Sequence, residues 1–328
     1  MVRSAVMVPV GEKREALYLL CSKCKSPLRE LRTEITDDVS ISCENCGAEL
    51  QCIGGIWRCL PSSREKYFHA FISDYEQIRA HEGRGSADSS YYLALPYKDL
   101  SEKNPYQWKI RAQSFKYIER KIIGPLEAQL KRPLRILDLG AGNGWMSYRL
   151  ASRGHYSVAV DILTNTQDGL GAAAHFRKND RQFPCVQAEL DHLPFASSTF
   201  DIAIFNASFH YSENFVCTFG EAFRCVQSGG AVVIADTPWY AREESGHEMV
   251  SEKRAYFKQK HGFASDSINS LEFLTPDRLQ NLQSRFDAQW YIFRPFYGVR
   301  WSLRPLIAKL KGRRKPSRFF LYAAWVSK

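Results

Sequence analysis

Short apolar runs ending in acidic or polar residues recur through the second half of the chain, separated by stretches long enough for a helix. Runs rich in Val, Ile, Leu and Ala and bounded by turn residues predict strands buried on both faces. Five are expected at Leu134 to Leu139, Ser157 to Asp161, Cys185 to Glu189, Ile202 to Asn206 and Ala231 to Asp236, with helices between them. This alternation predicts an α/β fold on a parallel sheet. Two further strands are expected at Gln289 to Arg294 and Phe319 to Val326. Ahead of the first strand, Ile110, Phe115, Ile118, Ile122 and Ile123 recur at helical spacing and predict a helix over 108–130.

The pattern is different towards the N-terminus. Residues 17–61 contain Cys21-Ser-Lys-Cys24 and Cys43-Glu-Asn-Cys46, two pairs with a polar, hairpin-like segment between them and Gly47 just after the second. Paired CxxC turns at that separation bring four thiolates around a tetrahedral ion, so Cys21, Cys24, Cys43 and Cys46 are expected to hold a structural Zn2+ in a zinc ribbon. Cys52 and Cys59 lie outside the knuckle spacing and read as small buried residues, although either is able to replace a ligand. A unit of about 45 residues buries too little surface to be stable alone, so the metal is expected to supply much of its folding energy. Residues 62–107 form a polar, aromatic-rich connector with Gly83-Arg-Gly-Ser-Ala-Asp-Ser-Ser90 and Tyr91-Tyr-Leu-Ala-Leu-Pro-Tyr97, expected as loop with short helices. Its Tyr91, Tyr92, Tyr97 and Tyr106, with Trp108, either cap a substrate cleft or pack the neighbouring units together. Residues 108–328 complete the chain as the α/β domain.

The strand ending at Asp138 runs into a glycine-dense turn, Ile136-Leu-Asp-Leu-Gly-Ala-Gly-Asn-Gly144. Glycines at 140, 142 and 144 let the backbone bend sharply and approach a ligand where a side chain would block it. A dinucleotide fingerprint would place its third glycine at 145, where the chain has Trp145, and the Gly-Lys-Ser/Thr of a P-loop is absent. Gly-x-Gly-x-Gly after an acidic strand end resembles motif I of class I S-adenosylmethionine (SAM) methyltransferases. Two downstream segments extend the resemblance. Val158-Ala-Val-Asp161 ends a second strand in an acid 23 residues after Asp138, and Ala188 to Asp201 contains Leu193-Pro-Phe195 and Phe200-Asp201 in the family's order.

The resemblance covers roughly Arg111 to Asp236. It implies a Rossmann-like seven-stranded sheet whose last two strands form an antiparallel edge hairpin. It also implies SAM as cofactor, with Asp138, Gly140, Ala141, Gly142 and Gly144 at the turn and Asp161 accepting hydrogen bonds from the ribose hydroxyls. Ile162 is then expected against adenine and Glu189 near the adenine amino group, with Leu190 and Asn206, at the end of the fourth strand, also in the cofactor site. Glu189 stands where the family usually has Asp. The cysteine unit, through Gly54-Gly-Ile-Trp-Arg-Cys-Leu60, is similar to the zinc-binding activator subunit of eukaryotic tRNA and protein methyltransferases and to the ribbon of bacterial 23S rRNA guanine methyltransferases.

After the fourth strand comes Asn206-Ala-Ser-Phe-His-Tyr211, at the carboxyl end where open α/β sheets bind ligands. His210 is a candidate general base and Tyr211 a candidate for orienting substrate; His210 as a packing residue is the competing reading. The segment lacks the Asn/Asp-Pro-Pro-Tyr of methyltransferases that act on exocyclic amines of bases or on glutamine amides. Ser208-Phe-His-Tyr211 is closer to the branch acting on small molecules and lipid quinones.

The net charge of +10 is local. From Ala288 onward there are ten Lys or Arg and no acid, so the preceding residues carry 35 charges of each sign. Within an insertion at 297–316, Val299, Leu303, Leu306, Ile307 and Leu310 fall on one helical face with Arg300, Arg304 and Lys311 beside it, although Pro305 limits its regularity. Such a stretch suits an anionic membrane or a phosphate-bearing substrate; its commonest role is packing on its own domain. No apolar run reaches the roughly 20 residues that span a bilayer, and Ala5-Val-Met-Val, broken by Pro9 and followed by Glu12 and Glu15, does not read as a signal peptide. With nine cysteines partly in CxxC pairs, a cytoplasmic setting is expected. The leading expectation is methyl transfer to a small-molecule or lipid-linked acceptor. The alternatives are an RNA base methyltransferase that uses ribbon and basic tail, and a non-catalytic scaffold of the same fold.

Overall fold

A computed structural model of the chain describes residues 18–30, 38–177 and 182–327. Leu17 at the expected start of the ribbon, part of the segment between its cysteine pairs, and the stretch weighed as a signal peptide lie outside the described residues. The ribbon forms β1 (Tyr18–Leu20), β2 (Pro27–Glu30), β3 (Val39–Ser42), β4 (Glu49–Ile53) and β5 (Ile56–Arg58). The connector is more helical than its composition suggests. It holds α1 (Ser62–His81), 20 residues long, and α2 (Ser89–Ala94).

The helix expected over 108–130 is continuous in direction but changes pitch. It runs as α3 (Pro105–Ile118), one π turn (Glu119–Ile123) and α4 (Gly124–Leu130). Pro125 has no N–H to donate to the preceding turn, and the wider turn, closed by Gly124 N–H to Glu119 C=O, accommodates it.

Beyond that, β6 (Arg135–Leu139), α5 (Trp145–Ala151), β7 (Tyr156–Asp161), α6 (Ala174–Arg177), β8 (Cys185–Gln187), β9 (Phe200–Asn206), α7 (Phe215–Cys225) and β10 (Val226–Ala235) follow the expected alternation. Then come α8 (Glu243–His261), α9 (Pro276–Arg285), β11 (Ala288–Phe293), α10 (Val299–Leu310) and β12 (Leu321–Val326).

The sheet has spatial order β11-β12-β10-β9-β6-β7-β8-β5-β4-β3. Strands β6 to β10 pair in parallel, and β12 lies antiparallel between β10 and β11, giving the expected edge hairpin. Successive side chains point to opposite faces, so Leu137 and Leu139 join one core cluster and Ile136 the other. Both faces are covered, which explains why these strands read as nearly continuous apolar runs.

Where seven strands were expected the sheet has ten, because the ribbon continues it. β5 pairs in parallel with β8 through Ile56–Cys185, Trp57–Val186 and Arg58–Gln187, and β4 and β3 add antiparallel strands beyond it. Leu19, Leu50, Cys52, Trp57 and Cys59 are buried in the same cluster as Leu137, Val158 and Val186. The ribbon therefore leans on the main core as well as on its cysteines.

Candidate active site

All five parallel strands end at one edge of the sheet, and the turn after β6 closes over that edge. Gly140, Gly142 and Gly144 have φ of +71°, +55° and +77°, a region in which a side chain is strained. Gly140 is also sterically fixed: a Cβ there would lie 2.2 Å from Ser208 Cβ. Ser208 holds that position by donating its hydroxyl to Leu139 C=O at 2.5 Å. The turn after β6 and the end of β9 are thus pressed together, with no space for a larger residue.

Asp138 is buried beneath the turn and accepts from Ser147 N–H (3.2 Å) and Oγ (2.8 Å). Burial outweighs these bonds and pushes its carboxyl up to about 7. Asp161, at the end of β7, accepts from Gly142 N–H at 2.8 Å and Leu163 N–H at 2.9 Å. Its carboxyl is raised to about 6, again by burial. Glu189, just past β8, is bound by Arg64 from α1, with Nε at 2.9 Å and the nearer terminal nitrogen at 2.7 Å.

These groups line one cleft that opens to solvent. Asp138, Gly140, Ala141, Gly142, Asp161, Ile162, Glu189, Leu190 and Asn206 all contribute to its wall. Gly144 does not. It lies under the turn, where a Cβ would meet the Phe183 ring at 2.8 Å, and so serves packing. Asn206 Oδ1 is buried without a hydrogen-bond partner among the described residues, a free acceptor in the wall.

Residues 137–234 match the family described as Methyltransferase domain. This stretch is a methyltransferase domain. Relatives include malonyl-[acyl-carrier protein] O-methyltransferase of Geobacter sulfurreducens, 26% identical over 49% of this chain, and demethylmenaquinone methyltransferase of Corynebacterium urealyticum, 32% identical over 31% of it. The matches span 53% and 41% of those two proteins. Among solved structures, the chain is similar to Burkholderia thailandensis 1,6-didemethyltoxoflavin-N1-methyltransferase, with 14% identity, a TM-score of 0.46, and coverage of 92% of this chain and all of that one.

The roof of the cleft comes from α1, in the segment expected as loop with short helices. Phe68, Phe71 and Tyr75 on α1 line the cleft, and the first two pack with Ile268, Ile162 and Tyr211. The signal was available: Phe68, Phe71, Tyr75 and Ile78 recur at helical spacing, but polar neighbours dilute the pattern. Of the aromatics named beforehand, Trp108 lines the cleft, Tyr91 and Tyr92 are buried packing residues, and Tyr97 is exposed.

The 3-10 turn Phe209–Tyr211 separates the two candidate catalytic residues. Tyr211 lines the cleft, while His210 is not part of its wall. The His210 ring packs on Tyr211 at 4.3 Å between centroids, and its Nδ1 is buried without a partner among the described residues. Burial lowers its pKa to about 3, so the imidazole is neutral and weakly basic. Three further arginines line the cleft: Arg79 on α1, Arg84 just after it and Arg111 on α3. Arg79 and Arg84 have acidic partners in Asp168 and Glu82, whereas Arg111 makes no ion pair among the described residues and lies over Trp108 at 5.5 Å.

Away from the cleft, the sulfurs of Cys21, Cys24, Cys43 and Cys46 lie within 4.8 Å of one another. Cys21–Cys46 and Cys24–Cys43 are 3.6 and 3.5 Å apart, close to the edge of about 3.8 Å of a tetrahedron with metal–sulfur bonds of about 2.3 Å. The two knuckles repeat each other's backbone. Lys25 N–H donates to Cys21 C=O and Gly47 N–H to Cys43 C=O, and both donors have positive φ. Hydrogen bonding, first from Ser26 and then from Asn45, lowers the Cys24 thiol to about 5 and favours its thiolate. Cys52 and Cys59 are buried outside this group.

Proposed function

We propose that the chain transfers a methyl group from SAM to a small acceptor carrying an acidic group, with a structural zinc in its ribbon. The observation that carries this reading is one continuous cleft whose wall holds both the buried acceptors Asp161, Glu189 and Asn206 and the Arg111 guanidinium beside Trp108, which makes no ion pair among the described residues. The residues fit the cofactor. The glycine turn permits close approach, the Asp161 carboxylate suits a ribose diol, and the orphaned Asn206 Oδ1 suits an ammonium or hydroxyl donor. SAM supplies a methyl on a sulfonium; the protein's tasks are to orient the acceptor and exclude water.

Arg111 is suited to hold an anionic acceptor, and Tyr211 to orient it. A carboxylate oxygen is already a nucleophile at neutral pH, so such an acceptor needs no base, which agrees with His210 lying outside the wall. The curated relatives are named for a carrier-linked malonyl group and for demethylmenaquinone, and both names favour a small or carrier-linked acceptor over RNA. No observation here favours the RNA alternative.

The test is transfer of tritiated methyl from SAM into fractionated extract. Label is expected in acidic small molecules, carrier-linked acids or lipids, with release by mild base if the product is an ester. Label confined to RNA overturns the acceptor class. Failure of the zinc-loaded chain to bind SAM by calorimetry overturns the enzyme reading in favour of a scaffold.

A further inference from the structure

The helix in the insertion faces the wrong way for a packing element. Trp301, Arg304, Pro305 and Ala308 form its half-buried side, and Trp301 packs on Tyr297, Phe319 and Tyr106. The opposite side carries Val299, Leu303, Leu306, Ile307 and Leu310, which are 43–79% exposed, and Phe296 just before the helix is 61% exposed. No residue of α10 is buried. The commonest role foreseen for this face, packing on its own domain, is not what the structure shows.

An apolar ridge of this length on a protein surface marks a contact site. Its surroundings identify the partner. At 100° per residue, Arg300 and Lys311 flank the ridge on one side and Lys309 on the other, and Arg313 and Lys315 follow directly. None of these five makes an ion pair among the described residues. From Ala288 to the end of the chain there is no acidic residue. Two copies of α10 laid face to face would oppose these cations. A nucleic acid would satisfy them and leave the ridge in water. An anionic bilayer offers negative headgroups on both sides of an inserted apolar ridge and an acyl boundary beneath it.

We infer that α10 and the basic segment through Lys315 dock the protein on an anionic lipid surface. The placement brings the membrane near the cleft. β11 runs parallel to β10, because both oppose β12, so the insertion leaves the sheet at the edge where the cofactor turn lies. Tyr297, just before α10, shares a hydrogen bond with Ser114 at 2.9 Å, on the same helix as Trp108 and Arg111 of the cleft. An acceptor with a lipid tail is then within reach of the site. The docking inference itself does not rest on methyl transfer.

The test is co-sedimentation of the full chain, without cofactor, with phosphatidylcholine vesicles lacking or containing about 30% phosphatidylglycerol. At least tenfold tighter binding to the anionic vesicles is expected, weakened by salt at about 0.5 M. Leu306→Glu with Leu310→Glu should abolish it while leaving the melting temperature and zinc content unchanged. Replacing Lys309, Lys311, Arg313 and Lys315 by Gln should weaken binding by roughly fivefold per charge removed. Equal binding to both vesicle types, or binding that survives the Glu substitutions, overturns the inference. A dimer that Leu306→Glu dissociates, with no vesicle binding, gives the face to a second copy. Salt-sensitive binding of an RNA homopolymer without vesicle binding gives the basic segment to RNA.

Discussion

The Arg64 guanidinium sits 2.7 Å from the Glu189 carboxylate and ties α1 to the end of β8. Glu189 is the acid expected near the adenine amino group, so roof and cofactor wall share one charge. Because Glu189 is buried and Arg64 partly exposed, the two substitutions should differ in cost. Glu189→Ala removes a charged acceptor and should raise the SAM dissociation constant roughly tenfold or more. Arg64→Ala should raise it no more than about fivefold, while speeding amide exchange in the first turns of α1. Calorimetry and hydrogen exchange check the pair. Equal losses from both would show that Arg64 acts on the cofactor directly.

Gly140 and Ser208 allow a double-mutant test of the turn. Gly140→Ala meets both the positive φ and the Ser208 side chain, and should cost about 2–4 kcal/mol of stability with loss of SAM binding. Adding Ser208→Gly relieves the contact but not the backbone strain. Partial recovery in denaturant unfolding is expected; full recovery would mean that φ at 140 carries no cost.

The four-cysteine group should bind one zinc per chain. Cys24→Ser should lower the metal content and the melting temperature, whereas Cys52→Ala should retain the metal. Because β5 pairs with β8, zinc removal should also increase amide exchange at 185–187, well outside the ribbon. Metal analysis and exchange mass spectrometry give the two readouts. Protection at β8 that is indifferent to zinc would separate the ribbon's metal from the sheet.

Asp138 predicts a pH dependence. Its carboxyl titrates near 3.9 in an unfolded chain and about 7 in the fold, so its contribution to stability is full below about 3.9 and lost as pH rises through 7. Asp138→Asn stays neutral and can still accept from Ser147. Its melting temperature should match the wild type near pH 4 and exceed it increasingly towards pH 8. A gap that does not widen with pH would assign Asp138 a normal acidity.

Local pattern made the centre of the sheet legible: apolar strands, a glycine turn and CxxC spacing are written in adjacent residues. What failed was long-range. Nothing in Ile56-Trp-Arg58 says that it pairs in parallel with Cys185-Val-Gln187, since pairing depends on chain closure over more than a hundred residues. Periodicity disclosed that residues 299–310 are amphipathic but not which side meets the domain; Trp301 decides that, by stacking on Tyr297 and Phe319. His210 and Tyr211 are neighbours in sequence, yet one tight turn puts only the second in the cleft wall.

The β5–β8 pairing bears on how this protein can be divided. β8 is three residues long and wholly buried, while the outermost strand, β3, is a short Val-Ser-Ile-Ser segment with alternating exposure. Cutting at the apparent domain boundary would strip β8 of its neighbour and leave a bare apolar edge, a template for pairing between molecules. The rest of the chain expressed without residues 18–60 should therefore clump. The seam between β5 and β8 thus shields an edge that the shorter chain would expose.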